Sequence, residues 1–210
     1  MPGTLFIIAA PSGTGKTTLV RSLCNNIPNL KVSISCTTRP KRAGEEEGVD
    51  YYFIDKKTFD EMAANNQFLE HECVFDHYYG TPKQWIEDQI AGGNDIILEI
   101  DWQGARDVRK LMPEKVVSIF ILPPVFSTLE KRLVDRQQDD EKTIKRRMQD
   151  ALNELSHYSE FDYLVVNDNL DHALSEIRKI VEHRRQGKPY RGPDLEEFAK
   201  RLMAEGSKIQ

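Results

Sequence analysis

An apolar run of strand length, Leu5-Phe6-Ile7-Ile8-Ala9-Ala10, leads without a break into Pro11-Ser12-Gly13-Thr14-Gly15-Lys16-Thr17-Thr18. Strand, glycine turn, Lys-Thr and helix in this order form the phosphate-binding P-loop, which commits the chain to an α/β fold. Each residue type has a physical reason. Gly13 and Gly15 let the backbone turn through positive φ and bring its N–H groups against an anion, while the following helix points its positive end there. Lys16 can reach β- and γ-phosphates, and Thr17 can hold a Mg²⁺ ion. Ala10 stands where the usual pattern has its first glycine. Because it precedes a proline it is pushed toward extended backbone, which alanine accepts without strain. The motif therefore reads as intact, and residues 10–18 are expected to wrap a nucleoside triphosphate.

At 210 residues the chain has room for one such core with small inserted lobes. Its 29 basic and 34 acidic residues leave a net charge of -5, so no global field favours nucleic acid or an anionic membrane, and neither is expected as a partner. Any phosphate site must be built locally. Cys24, Cys36 and Cys73 are scattered and lack CxxC spacing, which argues for reduced thiols in a cytoplasmic setting, acting as small buried or half-buried fillers, and against zinc. The histidines show no metal-ligand spacing either. The first apolar run is too short for a signal peptide, and no stretch approaches the roughly 18 apolar residues of a membrane helix.

Further runs of β-branched and apolar residues occur at Lys31 to Cys36, Ile96 to Ile100, Val116 to Leu122 and Tyr163 to Val166. Those that are apolar throughout suit strands buried on both faces of a parallel sheet. Helices are expected between them at Lys16 to Asn25, Pro82 to Ala91 (capped by Thr81) and Gly104 to Met112. Others are expected from the capping box Ser127-Thr128-Leu129-Glu130 to about Arg136, over Glu141 to His157, and over Leu170 to Gln186. Two stretches break the rhythm. Thr37 to Gly80 has charged turns, short aromatic-rich strands and a small helix begun at Thr58-Phe59-Asp60-Glu61, as an inserted lobe would. Arg132 to Arg147 places Arg132, Arg136, Arg146 and Arg147 around Asp139-Asp140-Glu141, a pattern that fits either a mobile lid over phosphates or a solvated helical face.

The stretch Ser35-Cys36-Thr37-Thr38-Arg39-Pro40-Lys41-Arg42-Ala43-Gly44-Glu45, followed by Gly48 and Tyr51, closely resembles the nucleotide-monophosphate lobe of guanylate kinases. Tyr78-Tyr79-Gly80-Thr81, Glu99-Ile100-Asp101-Trp102-Gln103-Gly104 and Val166-Asn167-Asp168 extend the resemblance to roughly residues 4 to 185. It implies a parallel-sheet P-loop kinase that transfers the ATP γ-phosphate to GMP with Mg²⁺. The parts would be a core (1–34, 86–125 and 151–187), a GMP lobe (35–85), a lid (126–150) and a tail (188–210).

By that resemblance Arg39, Arg42, Tyr51 and Tyr79 hold the GMP phosphate, for which arginine's fork suits two oxygens at once. Glu70 matches the guanine reader. A carboxylate can accept from both N1–H and the 2-amino group, whereas adenine offers no N1–H. Ser35, Thr81 and Asp101 match neighbouring guanine contacts. Glu99 and Asp101 close a strand at the end where α/β ligands collect, and one of them would orient Mg²⁺ through water beside Thr17. Arg132, Arg136 and Arg147 match lid positions that grip phosphates, and Asn167 matches an adenine contact. Val134, Asp135 and Gln137 depart from the usual lid pattern of arginine and glycines. Leu195, Phe198 and Leu202 recur at helical spacing in the tail, which would pack on the core or on a second subunit of a homo-oligomer. Two rival readings are a guanylate-kinase-like binding module without catalysis and a kinase for another monophosphate. The first predicts a degraded P-loop and lost phosphate arginines, and the second a different residue at Glu70 or Ser35.

Overall fold

The computed structural model describes residues 2–74, 76–135 and 141–208. The first apolar run becomes β1 (Leu5–Ala9), buried at every residue, and α1 (Lys16–Asn26) follows the glycine turn. After β2 (Leu30–Val32) come β3 (Cys36–Thr37), β4 (Tyr52–Phe53), α2 (Lys56–Ala64), β5 (Phe68–Val74), β6 (His77–Pro82) and α3 (Lys83–Ala91). The chain continues through β7 (Asp95–Glu99), α4 (Trp102–Leu111), β8 (Val116–Leu122), α5 (Ser127–Asp135) and α6 (Glu141–Ser156). A 3₁₀ turn at Tyr158–Glu160 leads to β9 (Tyr163–Val166), α7 (Leu170–Arg185) and α8 (Glu196–Gly206).

The strands form a five-stranded sheet in the order β2-β7-β1-β8-β9 and a four-stranded sheet in the order β4-β3-β6-β5. In the first, β2 runs parallel to β7 and β8 parallel to β9, so the expected parallel α/β core is present. Strand order departs from chain order, as helical crossovers require. In the second sheet β6 pairs antiparallel with both β3 and β5.

The run Lys31 to Cys36, which reads as one strand, divides between the two sheets. Ser33 and Ser35 interrupt its apolar character: Ser33 N–H still reaches Ile97 O, whereas Ser35 O already accepts from Tyr52 N–H. Helix starts differ as well. The cap of α2 is Asp55, whose Oδ1 accepts from Thr58 N–H at 2.7 Å, so the helix begins before the expected Thr58 box. Thr81 lies inside β6 and Pro82 takes the cap position of α3. Ser127 is the first residue of α5, within the helix.

By packing the chain forms two units. One comprises Met1–Phe6, Asn29–Leu98 and Gln103–Val116, and the other Ile7–Pro28, Glu99–Trp102 and Val117–Gln210. In the first, Cys36, Phe59 and Phe68 form an aromatic cluster with Ile54, Met62, Ala63 and Tyr78 around it. Gly80 of β6 faces it so closely that a Cβ there would stand 2.8 Å from the Phe68 ring. In the second, Ala9, Phe120 and Leu122 from the sheet meet Phe126, Leu129, Met148, Ala151 and Leu155. Ala199 and Leu202 of α8, both at 0% exposure, complete that cluster, so the tail packs on its own core. Each fully buried leucine, isoleucine or phenylalanine contributes about 1.5–3 kcal/mol. Among the described residues no helix is long and apolar enough to cross a membrane.

Candidate active site

The second unit carries the phosphate loop. Gly13 and Gly15 sit at φ 88° and 95°, the left-handed region the turn demands. Between them Thr14 is buried, and both its N–H and its Oγ1 donate to Pro11 O, at 3.1 and 2.7 Å. Ala10, Pro11 and Gly13 are buried, Ser12, Gly15 and Lys16 are half-buried, and Thr17 and Thr18 are exposed. Lys16 Nζ lies 3.4 Å from Ile100 O, a long contact that a phosphate can displace. Thr17 Oγ1 donates to Glu99 Oε1 at 2.6 Å, which brings the two expected Mg²⁺-side groups together.

Asn167 and Arg132 clasp the same loop from outside. Asn167 Nδ2 donates to Thr14 O at 2.7 Å, and Arg132 Nη1 donates to Thr14 O at 2.8 Å and Gly13 O at 3.3 Å. A Cβ at Gly15 would meet Asn167 Nδ2 at 2.9 Å, so both the turn and the packing require glycine there. Arg147 is half-buried on α6 and Arg146 is exposed. Arg136, with Gln137, Asp139 and Asp140, lies outside the described residues.

One residue here escaped the sequence reading. Ser12 N–H donates to the carboxylate of Glu154, in α6, whose Oε2 is buried without a hydrogen-bond partner among the described residues. Burial pushes this carboxyl up to about 7; Lys16 opposes the rise, and Asp101 and Asp150 add to it. Asp101, beside it, is followed by Trp102, whose ring stacks on His157 at 3.5 Å and 11°. His157 Nδ1 lies 2.7 Å from Glu160 Oε1. Glu154 sits one residue before buried Leu155, and apolar spacing alone marks such a residue as solvent-facing.

The first unit carries the other group. Arg39, 7% exposed, forks onto Glu45 with Nη2–Oε1 at 2.7 Å and Nη1–Oε2 at 3.1 Å, and it also donates to Pro40 O. Its guanidinium stands 5.4 Å from the Tyr51 ring centre, and Tyr51 meets Tyr79 edge-on at 5.9 Å. Burial raises the Glu45 carboxyl, but the hydrogen bonds from Arg39 and from Arg42 N–H outweigh it and hold it below the usual carboxylate range. The Arg42 side chain is exposed. Thr81 Oγ1 donates to Glu70 Oε1, and Ser35 Oγ lies 3.5 Å from Thr81 Oγ1. Ser35, Glu70 and Thr81 therefore converge in the first unit, and Asp101 lies in the second.

No group of three or more His, Cys, Asp or Glu that could hold a metal exists among the described residues. Burial raises the thiols of half-buried Cys24 and buried Cys36 to about 11, with Glu99 and Glu47 adding respectively, so both are inert fillers. Cys73 is exposed, against the expectation of a buried or half-buried filler, because it alternates outward along β5.

Parallel sheet, glycine turn, lysine and clasped loop together define a P-loop nucleotide-binding protein. Residues 3–184 match the family model described as Guanylate kinase. The guanylate kinase of Methylococcus capsulatus is 56% identical over 183 residues, spanning 87% of this chain and 89% of that one. That of Coxiella burnetii is 52% identical, over 86% and 87% of the two chains. The crystal structure of guanylate kinase from Anaplasma phagocytophilum superposes with a TM-score of 0.73 at 34% identity, covering 87% of this chain and 86% of that one. The chain belongs to the guanylate kinase family.

Proposed function

We propose that this chain transfers the γ-phosphate of ATP to GMP, giving ADP and GDP. The observation that carries the reading is the convergence of Glu70, Thr81 and Ser35 in a chain that also holds an intact P-loop. A carboxylate accepts from two adjacent guanine donors, and adenine would leave such buried acceptors unmatched.

Phosphoryl transfer asks for positioning and charge neutralisation more than covalent help. The GMP phosphate, with a second pKa near about 6, is mostly ionised at neutral pH, so no catalytic base is required. Lys16 and the loop N–H groups hold the ATP phosphates, and Arg39, Arg42, Tyr51 and Tyr79 hold the GMP phosphate. The fork of Arg39 on Glu45 holds that guanidinium in place before GMP arrives. Arg132, Arg136 and Arg147 would add charge over the transferring group from residues 126–150 acting as a lid, with Asn167 at the adenine side. Thr17 Oγ1 and the Glu99 carboxylate are hard oxygen donors, the kind Mg²⁺ prefers, and one threonine with an acidic partner suits an ion that keeps several waters. When bound, Mg²⁺ supplies neutralisation of the phosphate charge. Asp101 would contact the guanine beside Glu70, and its charge also acts on Glu154.

Intact Lys16, Thr17, Arg39, Arg42 and Arg147 speak against a binding module without catalysis. Unpaired thiols support a cytoplasmic setting. The test is ADP release from ATP and Mg²⁺ with GMP, AMP, UMP and CMP offered separately. Turnover with GMP alone is expected; equal turnover with AMP would overturn the guanine assignment, and none with any would favour the binding module.

A further inference from the structure

Two side-chain contacts tie the turn after β7 to the start of α1, and both use groups that the proposed reaction calls away. Thr17 Oγ1 donates to Glu99 Oε1 at 2.6 Å, and Lys16 Nζ donates to Ile100 O at 3.4 Å. When Lys16 and Thr17 turn to the ATP group both contacts loosen, at the stage when Glu99 has to stay in place. A third contact on the same turn uses neither group. Trp102, directly after Asp101, lies flat on the His157 imidazole, with ring centres 3.5 Å apart and planes at 11°.

The imidazole is itself firmly set. His157 N–H donates to Glu154 O at 3.2 Å, and His157 O accepts from Glu160 N–H at 3.0 Å, so its backbone is held on both sides. Its Nδ1 lies 2.7 Å from Glu160 Oε1; the carboxylate oxygen accepts, so Nδ1 carries the proton and the ring plane is fixed. Leu155, two residues back, is at 0% exposure, and Phe161, just beyond the 3₁₀ turn, meets the buried Phe120 ring at 5.0 Å. Both belong to the apolar cluster of the second unit. His157 is therefore a flat plate fixed to that core, and Trp102 rests on it.

We propose that His157 is a positioning residue for phosphoryl transfer, holding residues 99–101 in place through its stack on Trp102. This rests on the ATP-to-GMP reaction proposed above. The nucleotide displaces the contacts of Lys16 and Thr17 but not the stack, so the stack carries the turn through the step at which alignment counts. Transfer depends on positioning, and a shift of about 1 Å in a charged group is enough to slow it severely. The ATP phosphates are held by the loop N–H groups and Lys16, so loss of the stack falls on kcat rather than on KM for ATP.

The experiment compares His157→Leu, which has no flat ring, with His157→Phe, which keeps one. Both are made with Trp85→Phe, an exposed position on α3, so that Trp102 is the single tryptophan. The tryptophan band of the near-ultraviolet circular dichroism then reports the stack without nucleotide. His157→Leu should lose most of that band and about tenfold in kcat, with KM for ATP within about twofold of the parent, while His157→Phe keeps the band and most of kcat. Equal kcat in the two variants, or a parental kcat in His157→Leu, would overturn the inference and leave the reaction standing. A parent without turnover would overturn both. Should His157→Leu fold poorly, Glu160→Ala leaves both rings and frees the imidazole to turn. It should weaken the band and lower kcat by about threefold, and an unchanged kcat would overturn the inference.

Discussion

Glu70 illustrates what one side chain can decide. Its partner Thr81 sits in the neighbouring strand, and the β5–β6 register sets the two directly opposite each other. Glu70→Gln turns one acceptor into a donor against the guanine donors, so KM for GMP should rise by roughly 10-fold or more, while KM for ATP changes little. Steady-state kinetics with each nucleotide varied in turn checks the split. Lys16→Ala should cut kcat by about 100-fold or more while the chain still folds, since the only hydrogen bond of Lys16 among the described residues is a long one to Ile100 O. These residues were legible because their chemistry follows from motif and type. The setting of Glu154 was not, because the burial of its Oε2 arises only when the helix packs. Asp101 was legible as an acid just past the end of the β7 run.

At the scale of elements, apolar runs gave β1 and β8 nearly residue for residue, since strands buried on both faces leave no register to guess, and the half-buried β9 also lies where its run does. The division of Lys31 to Cys36 between β2 and β3 was hidden, because a strand that changes sheets differs from a continuous one only in its pairing partners. Helix starts slipped where several residues could cap and the backbone chose among them, as at Asp55. Gly80 stands mid-strand in β6, where the Phe68 ring leaves no room for a Cβ. Gly80→Ala should destabilise the protein by about 1–3 kcal/mol, read from urea unfolding, with the spectroscopic change centred on Tyr78. Leu202→Ala empties a site at 0% exposure and should cost about 2–5 kcal/mol by the same measurement, although it lies far along the chain from every nucleotide-facing residue.

For the whole molecule, the ordered set of motifs fixed the family, and the parallel core followed from it. If residues 126–150 close over bound phosphates, peptides covering α5 and α6 should gain hydrogen-exchange protection when ATP and GMP bind together, more than with either alone; unchanged exchange would exclude closure. Chain length is the remaining lesson. The family match stops at residue 184, yet α8 begins at Glu196 and covers Phe126, Leu129, Met148 and Leu155. A chain ended at Gly187 would keep every residue assigned to a nucleotide and would open that apolar patch to water. It would precipitate before it failed at chemistry. The last helix shields an apolar face, and the residues assigned to the nucleotides lie in the segments before it.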